Sequence, residues 1–344
     1  MGTLHVFNPD HDIALAANLS NFTAPKAGRE LCHDLGWLPV LWAEDGDYVM
    51  VDEIDAAVRS VSSLPFPLPE VNWLQKGGVF IQKVLADIHH VEPWGWNKAL
   101  TQQLRRTGLK HVPDDQQLER LRMMSHRDFA ASHFLSRLVS LDGRLVGEAA
   151  LVTSLPYINN VVLKAPWSSS GRGVRFVIDE DSYRHHLLWA QNVIRQQGGV
   201  MVEPLYNRVL DFGMEFYADG VTTYLGLSLF ATANGAYMGN VLMNEEEKRE
   251  VLSHEISLTL LDLVRTTILS VADECIAPFY TGPFGIDMMV VKTTDGAMKL
   301  HPCVEMNLRR TMGHVALDVF RHDGRHAYSQ MSVRYDGTYS FLLT

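Results

Sequence analysis

The sequence predicts an α/β protein with a leading parallel sheet and helical crossovers, followed by a body of antiparallel sheet and helix (α+β). Three observations carry that expectation. In the first third, short apolar runs of strand length alternate with helical stretches. From about residue 126 the strand candidates come as strand–loop–strand pairs, the mark of hairpins. With 344 residues, 47 % of them hydrophobic, the chain has material for two or three packed units.

Leu4-His5-Val6-Phe7 reads as the first strand, ending at Asn8-Pro9. Asp10 or Asp12 then stands where it can cap a helix from Ile13 to Asn18. Leu38–Trp42, Tyr48–Val51 and Val79–Ile81 are further strand candidates. Pro93-Trp94-Gly95-Trp96 punctuates the chain before a helix over Asn97–Arg106, and Pro113-Asp114-Asp115 breaks it before a helical stretch at Gln117–Arg122. Beyond that break, a helix through Phe129–Val139 leads to the strand Val161–Lys164, a Ser/Gly loop and the strand Val174–Ile178. A helix with Leu187, Leu188, Gln191 and Ile194 precedes the strand Val200–Glu203; Asp211–Ala218 and Thr223–Phe230 follow. Ile256, Leu260, Leu263, Val264, Ile268, Val271 and Cys275 share one face of a long helix. Gly285–Val291 and Met298–Met306 make a hairpin about Asp295-Gly296. Domain boundaries are expected at 1–115, 116–204 and 205–344.

Composition narrows the function. Thirty basic residues against 40 acidic ones give a net charge of −10, which argues against a general nucleic-acid binder. Cys32, Cys275 and Cys303 are too few and too scattered for a disulfide framework or a zinc site. No apolar run approaches the ~18 residues of a membrane span, and Asp10 and Asp12 interrupt any signal-peptide core. The expectation is a cytoplasmic protein with no membrane partner.

Two constellations can carry chemistry. Lys164-Ala165-Pro166-Trp167-Ser168-Ser169-Ser170-Gly171-Arg172-Gly173 joins small residues, hydroxyls and two cations, which suits an anion held by backbone N–H groups. It lacks the Gly-Lys-Ser/Thr of a P-loop. The second is Asp287 with Glu305-Met306-Asn307-Leu308-Arg309-Arg310. Glu305 and Asn307 share a strand face. A two-residue loop at Asp295-Gly296 sets Asp287 opposite Val304. A three-residue loop, Asp295-Gly296-Ala297, sets it opposite Glu305; such loops carry a glycine-containing bulge, and Pro302 in the return strand also demands a bulge or an edge position. In that register two carboxylates and an amide oxygen converge, a hard set suited to Mg²⁺.

Taken in order, these residues resemble the ATP-grasp superfamily over roughly 120–315. The resemblance implies an ATP-grasp fold preceded by a Rossmann-like parallel α/β domain. It implies ATP and Mg²⁺ (or Mn²⁺) as cofactors. Lys164 resembles the lysine on the α/β-phosphates, and Ser168, Ser169, Ser170, Gly171, Arg172 and Gly173 the loop over the β/γ-phosphates. Met201, Val202 and Glu203 are similar to the hinge that reads adenine, with Leu205 beside the ring. Asp211 is similar to the acid on the ribose hydroxyls, and Asp287, Glu305 and Asn307 to the Mg²⁺ ligands. Arg309 resembles the arginine that steadies the acyl substrate or the transferring phosphoryl group. Arg127 stands near where many members carry a lysine. Asp10 and His11, in the loop after the first strand, and Arg310 and His314 are candidate substrate contacts. The activity implied is an ATP-dependent carboxylate–amine or carboxylate–thiol ligase working through an acyl phosphate. Its partners would be small acids and amines, with a homodimer allowed. A small-molecule kinase and a non-catalytic ATP-binding regulatory protein are the alternatives. The adjacent pairs His89-His90 and His185-His186 read as surface residues rather than metal ligands.

Overall fold

The structure, a computed structural model, describes residues 2–78, 82–168, 171–233 and 236–344. It is a mixed α/β protein with a parallel sheet and antiparallel sheets. The chain forms two compact units, each assembled from separated segments. The first comprises Met1–Leu121, Met238–Asn244 and Arg309–Thr344; the second comprises Arg122–Tyr237 and Glu245–Leu308.

In the first unit, β1 (Gly2–Val6), β2 (Tyr48–Val51), β3 (Asn72–Gln75) and β4 (Ile88–Pro93) pair in parallel in the order β3-β2-β1-β4. Leu4, Val49, Ile88 and Val91 are buried in the sheet, and Leu100 and Leu104 of the helix Lys98–Arg106 pack against it. Asn97 caps that helix, its Oδ1 accepting from the Leu100 N–H at 3.0 Å.

One sequence expectation fails here. Leu38–Trp42 is not a strand: Leu38–Leu41 form a 3₁₀ turn, with all four residues buried. Pro39 has no N–H to give a sheet ladder, and the turn closes with Val40 N–H on Trp37 O at 3.0 Å and Trp42 N–H on Pro39 O at 3.1 Å. The strand beside β2 is instead Asn72–Gln75, which is short and half exposed and so lacks a strong apolar pattern. The expected strand Val79–Ile81 lies outside the described residues.

The second unit holds two antiparallel sheets. β5 (Ala150–Val152), β6 (Val161–Lys164), β7 (Val174–Val177) and β8 (Val200–Pro204) run in the order β5-β8-β6-β7. One face of this sheet, with Leu163, Val177 and Val200, packs on Ala190 and Val193 of the helix Glu180–Gln197. The other sheet contains β9 (Arg208–Asp219) and β10 (Val221–Ala233), after which β11 (Ala236–Val241) leads the chain back toward the first unit. Its remaining strands are β12 (Gly282–Lys292) and β13 (Met298–Asn307), giving the order β13-β12-β9-β10. The helix Leu258–Cys275 covers β9 and β10 with Leu260, Leu261, Val264, Ile268 and Val271. Leu263, expected on that stripe, is turned outward with 41 % of its surface exposed. Ile256 is buried but precedes the helix. The last strands of the first unit are β14 (Gln330–Tyr335) and β15 (Tyr339–Leu343), with β11 paired to β14 at Asn240.

The β12–β13 hairpin decides what faces the site. Near its turn Lys292 pairs with Met298, and Thr293 N–H donates to Ala297 O at 2.9 Å. Thr294, Asp295 and Gly296 are thus the loop, with Gly296 at φ 86°. Met289 still pairs with His301, but Asp287 pairs with Glu305. Two extra residues of β13 are absorbed in a bulge that contains Pro302. Proline has no ladder hydrogen bond to give, and β13 is the edge of this sheet within its unit. The expected pairing is present, but the bulge rather than the turn produces it.

Candidate functional site

Residues directly opposite in an antiparallel sheet share a face. Gly213 of β9 stands opposite Asp287, which stands opposite Glu305; Glu215 stands opposite Gly285, which stands opposite Asn307. Asp211, two residues before Gly213, is on the same face. One side of the sheet therefore presents Asp211, Glu215, Asp287, Glu305 and Asn307 together. The Asn307 side-chain amide donates to Asp287 Oδ2 at 3.1 Å, and Glu305 takes the Arg127 guanidinium at 2.7 Å.

Glu215 was not anticipated. It is buried (3 % exposed), and a Cβ on Gly213 would lie 3.5 Å from both Asp287 Oδ1 and Glu215 Oε1. Glycine there leaves the space between two carboxylates open. The signal was present as period-two spacing, Asp211-x-Gly213-x-Glu215. Behind it Lys248 is buried, and that burial pushes its ammonium down, with Glu245 and Glu215 pulling it back up.

The β5–β8 sheet supplies the opposing wall. Lys164 stands opposite Met201 and Val162 opposite Glu203, so all four share a face. Lys164 Nζ donates to Glu203 at 2.5 Å and to Val304 O at 3.4 Å, with both side chains of the ion pair about 8 % exposed. Arg127 begins a helical stretch comprising Arg127–Ala130, a π-helical Ala131–Leu135 and Ser136–Val139. Besides Glu305, its guanidinium donates to Ala165 O at 3.0 Å and Ser168 Oγ at 3.3 Å. It thereby ties the Ser/Gly loop to the acidic strand.

In that loop Gly171 has φ 70°, and Ala165 N–H donates to Gly173 O at 2.8 Å. A Cβ on Gly173 would sit 2.3 Å from Ser168 Oγ, so only glycine fits. Arg172 is exposed. Ser169 and Ser170 lie outside the described residues.

Between the two sheets of this unit is a cleft of about 770 Å³. Arg127, Lys164, Gly171, Glu203, Leu205, Asp211, Asp287 and Glu305, all singled out from sequence, line it. Val162, Phe176, Phe230 and Val304 give it an apolar side, and His186 also reaches it. Asp211 is paired with Arg208 at 2.9 Å. Of the hinge residues, Met201 is fully buried and Val202 faces away, opposite Leu163. The donor set fits a small hard cation: two carboxylates and a side-chain amide on one face leave the remaining ligands to water and phosphate. Among the described residues no cluster of three or more His, Cys, Asp or Glu side chains is arranged to hold a metal, so such an ion would rely on Asn307 and non-protein oxygens.

The other expected site residues belong to the first unit. β13 ends at Asn307, so Arg309 does not continue the Glu305–Asn307 strand alternation. Its guanidinium binds Asp12 at 2.9 and 3.0 Å. Arg310 joins Glu92 at 2.6 Å and Asp318 at 3.1 Å. His314 is buried in a helix cap: the Thr311 N–H donates to its Nδ1 at 3.2 Å. Asp10 precedes the helix His11–Ala17 but makes no capping bond with its side chain, which corrects the sequence expectation for it. Burial raises the Asp10 carboxyl above its ordinary range. His11 is buried against Gly95, where a Cβ would lie 2.6 Å from the ring, and that burial pushes its imidazole down to about 4.

No family model and no curated protein matches the chain. Solved structures do. N5-carboxyaminoimidazole synthetase from Staphylococcus aureus aligns over 100 % of this chain and 93 % of its own, at 10 % identity and TM-score 0.49. The biotin carboxylase domain of Hydrogenobacter thermophilus 2-oxoglutarate carboxylase, solved with MgADP, aligns over 95 % and 71 %, at 14 % identity and TM-score 0.49. An Archaeoglobus fulgidus protein described as ATP-grasp aligns over 100 % and 99 %, at 13 % identity and TM-score 0.44. None of the three exceeds 14 % identity to this chain.

Proposed function

We propose that the chain is an ATP-dependent ligase of the ATP-grasp kind, joining a small carboxylic acid to an amine. The observation that carries this reading is the register that sets Asp287 opposite Glu305 in the same cleft as the buried Lys164. Polyphosphate needs cations and a hard-metal face in one place, and purine needs an apolar wall; Val162, Phe176 and Leu205 offer the latter.

Carboxylates are poor electrophiles. One carboxylate oxygen attacks the γ-phosphorus, ADP departs, and an acyl phosphate results. The amine then attacks the acyl carbon, inorganic phosphate leaves, and the amine proton passes to solvent or product. Mg²⁺, when bound, neutralises phosphate charge. Lys164 and Arg127 hold the phosphates, and the N–H groups around Gly171–Gly173 cover them. Asp287, Glu305 and Asn307 are the groups that would hold the cation, with Asp211 on the ribose hydroxyls.

The test incubates the protein with Mg-ATP and a panel of small acids paired with amines, following ADP, phosphate and product mass. ADP, phosphate and a dehydrated adduct support the ligase; a phosphorylated alcohol with ADP overturns it in favour of a kinase. Glu305→Gln should lower turnover by roughly 100-fold or more while the melting temperature stays near the parent's. Full activity in that variant overturns the metal assignment.

A further inference from the structure

The first unit contains a cavity of its own, of about 480 Å³, at the carboxyl edge of the parallel sheet. It opens where β1, β2 and β3 end, at Asn8, Asp52 and Lys76. The order β3-β2-β1-β4 changes direction at β1, and crevices beyond such a reversal are where open α/β sheets take ligands. The loops after β1 and β4 are locked together there. Asn8 Nδ2 donates to Gly95 O at 2.8 Å, and Gly95 N–H donates to Asn8 Oδ1 at 3.3 Å.

Charges of both signs line this cavity, and several have no opposite partner. Asp10 is half-buried and makes no ion pair among the described residues. Arg29, in the helix Lys26–Leu35, spends a guanidinium N–H on the Ala24 carbonyl, and it has no carboxylate partner among the described residues. Arg106, in the helix Lys98–Arg106, likewise has no carboxylate there. Among the described residues Lys76 and Asp52 meet each other at 3.5 Å, and Asp52 also faces His33 at 3.6 Å. A phosphate would be opposed by Asp10 and Asp52, and a simple amine by three basic groups. A zwitterion answers both needs, and the apolar Phe22, Met50 and Leu100 leave room for a side chain.

We propose that this cavity binds a free α-amino acid, with its ammonium on Asp10 and its carboxylate at the Arg29–Arg106 side. Burial raises the Asp10 carboxyl, a cost that a bound ammonium would relieve.

The test is calorimetric titration of the full chain with each of the twenty standard L-amino acids, without nucleotide. At least one should bind with a dissociation constant below ~1 mM. Its amide and its N-acetyl derivative, each lacking one charge, should bind at least ~10-fold more weakly. Asp10→Asn and Arg106→Gln should each weaken binding by a similar factor with an unchanged melting temperature. The proposal is overturned if no amino acid binds at 10 mM (about the ceiling for a useful site), if the blocked derivatives bind as tightly, or if both variants bind like the parent. Inorganic phosphate binding in place of every amino acid would overturn it as well. Because no nucleotide is present, failure here leaves the cleft of the second unit untouched, and failure of Glu305→Gln leaves this cavity untouched.

Discussion

The basic groups of the two units keep different company. In the second unit, Lys164 meets Glu203 at 2.5 Å and Arg127 meets Glu305 at 2.7 Å, and both acids line the cleft. In the first unit Arg310 is clamped between two, Glu92 and Asp318, and its guanidinium lies 4.2 Å over the Trp42 ring. The difference is one of setting: an open cleft against a packed cage of two acids and a ring. A cation whose carboxylate partner lines an open cleft can exchange that partner for an incoming anion. One held between two buried acids and under an aromatic face is anchored on several sides at once, although the Arg310 Nε has no hydrogen-bond partner among the described residues. We predict that Arg310, expected to touch substrate, serves as scaffold instead.

Removing Arg310 should produce the largest loss of stability. Arg310→Met removes the guanidinium shared by Glu92 and Asp318, leaving Asp318 with Arg321 at 2.5 Å and Glu92 buried without this counter-charge, a defect that costs about 3 kcal/mol. Urea denaturation of the variant reads this directly. A loss below about 1 kcal/mol would break the contrast and return Arg310 to the class of exchangeable cations.

A second acid of the first unit sharpens the point through pH. Burial works against the Asp47 charge, but hydrogen bonds from His5 at 3.0 Å, Glu44 N–H at 3.0 Å and Thr3 N–H at 2.7 Å outweigh it. Its carboxyl is held down at about 2, against an ordinary 3.8. A carboxyl depressed in the folded state contributes stability above its unfolded pKa and loses it as pH falls through the folded one. Asp47→Asn should therefore cost about 2 kcal/mol at pH 7. The gap between variant and parent should narrow below pH 4 and close near pH 2, followed by urea denaturation at each pH. A gap independent of pH would mean that Asp47 serves through its hydrogen bonds and not its charge.

Much of the cleft was legible because strand alternation is a simple rule. Glu305-x-Asn307 must share a face, and Asp287 joins them in one of the two registers open to the hairpin; Pro302 asked for a bulge or an edge position, and β13 supplies both. What sequence did not settle was the bulge's place, since a proline forbids a ladder bond without saying where the slack is taken up. The same proline logic, applied at Pro39, would have demoted Leu38–Trp42 from strand to turn. Glu215 escaped because Asp211-x-Gly213-x-Glu215 reads as an ordinary strand until its partners across β12 are known. For Arg309 strand alternation gives no guide, because β13 ends at Asn307, two residues before it.

His314 gives the smallest effect and the finest test of which groups are scaffold. Its imidazole occupies the third position of the helix Met312–His322, accepting the Thr311 N–H, while Thr311 Oγ1 accepts from Gly313 N–H at 3.1 Å and His314 N–H at 3.2 Å. This reciprocal pair occupies the place that glutamate or glutamine takes in most such caps. His314→Ala should cost about 1 kcal/mol, whereas His314→Gln, able to accept the same N–H, should recover most of it. Activity should follow stability in both. A residue that contacts substrate behaves otherwise, since glutamine would restore the cap and leave turnover impaired. A His314→Gln protein as stable as the parent but ten-fold slower would therefore move the imidazole out of the cap and into the site.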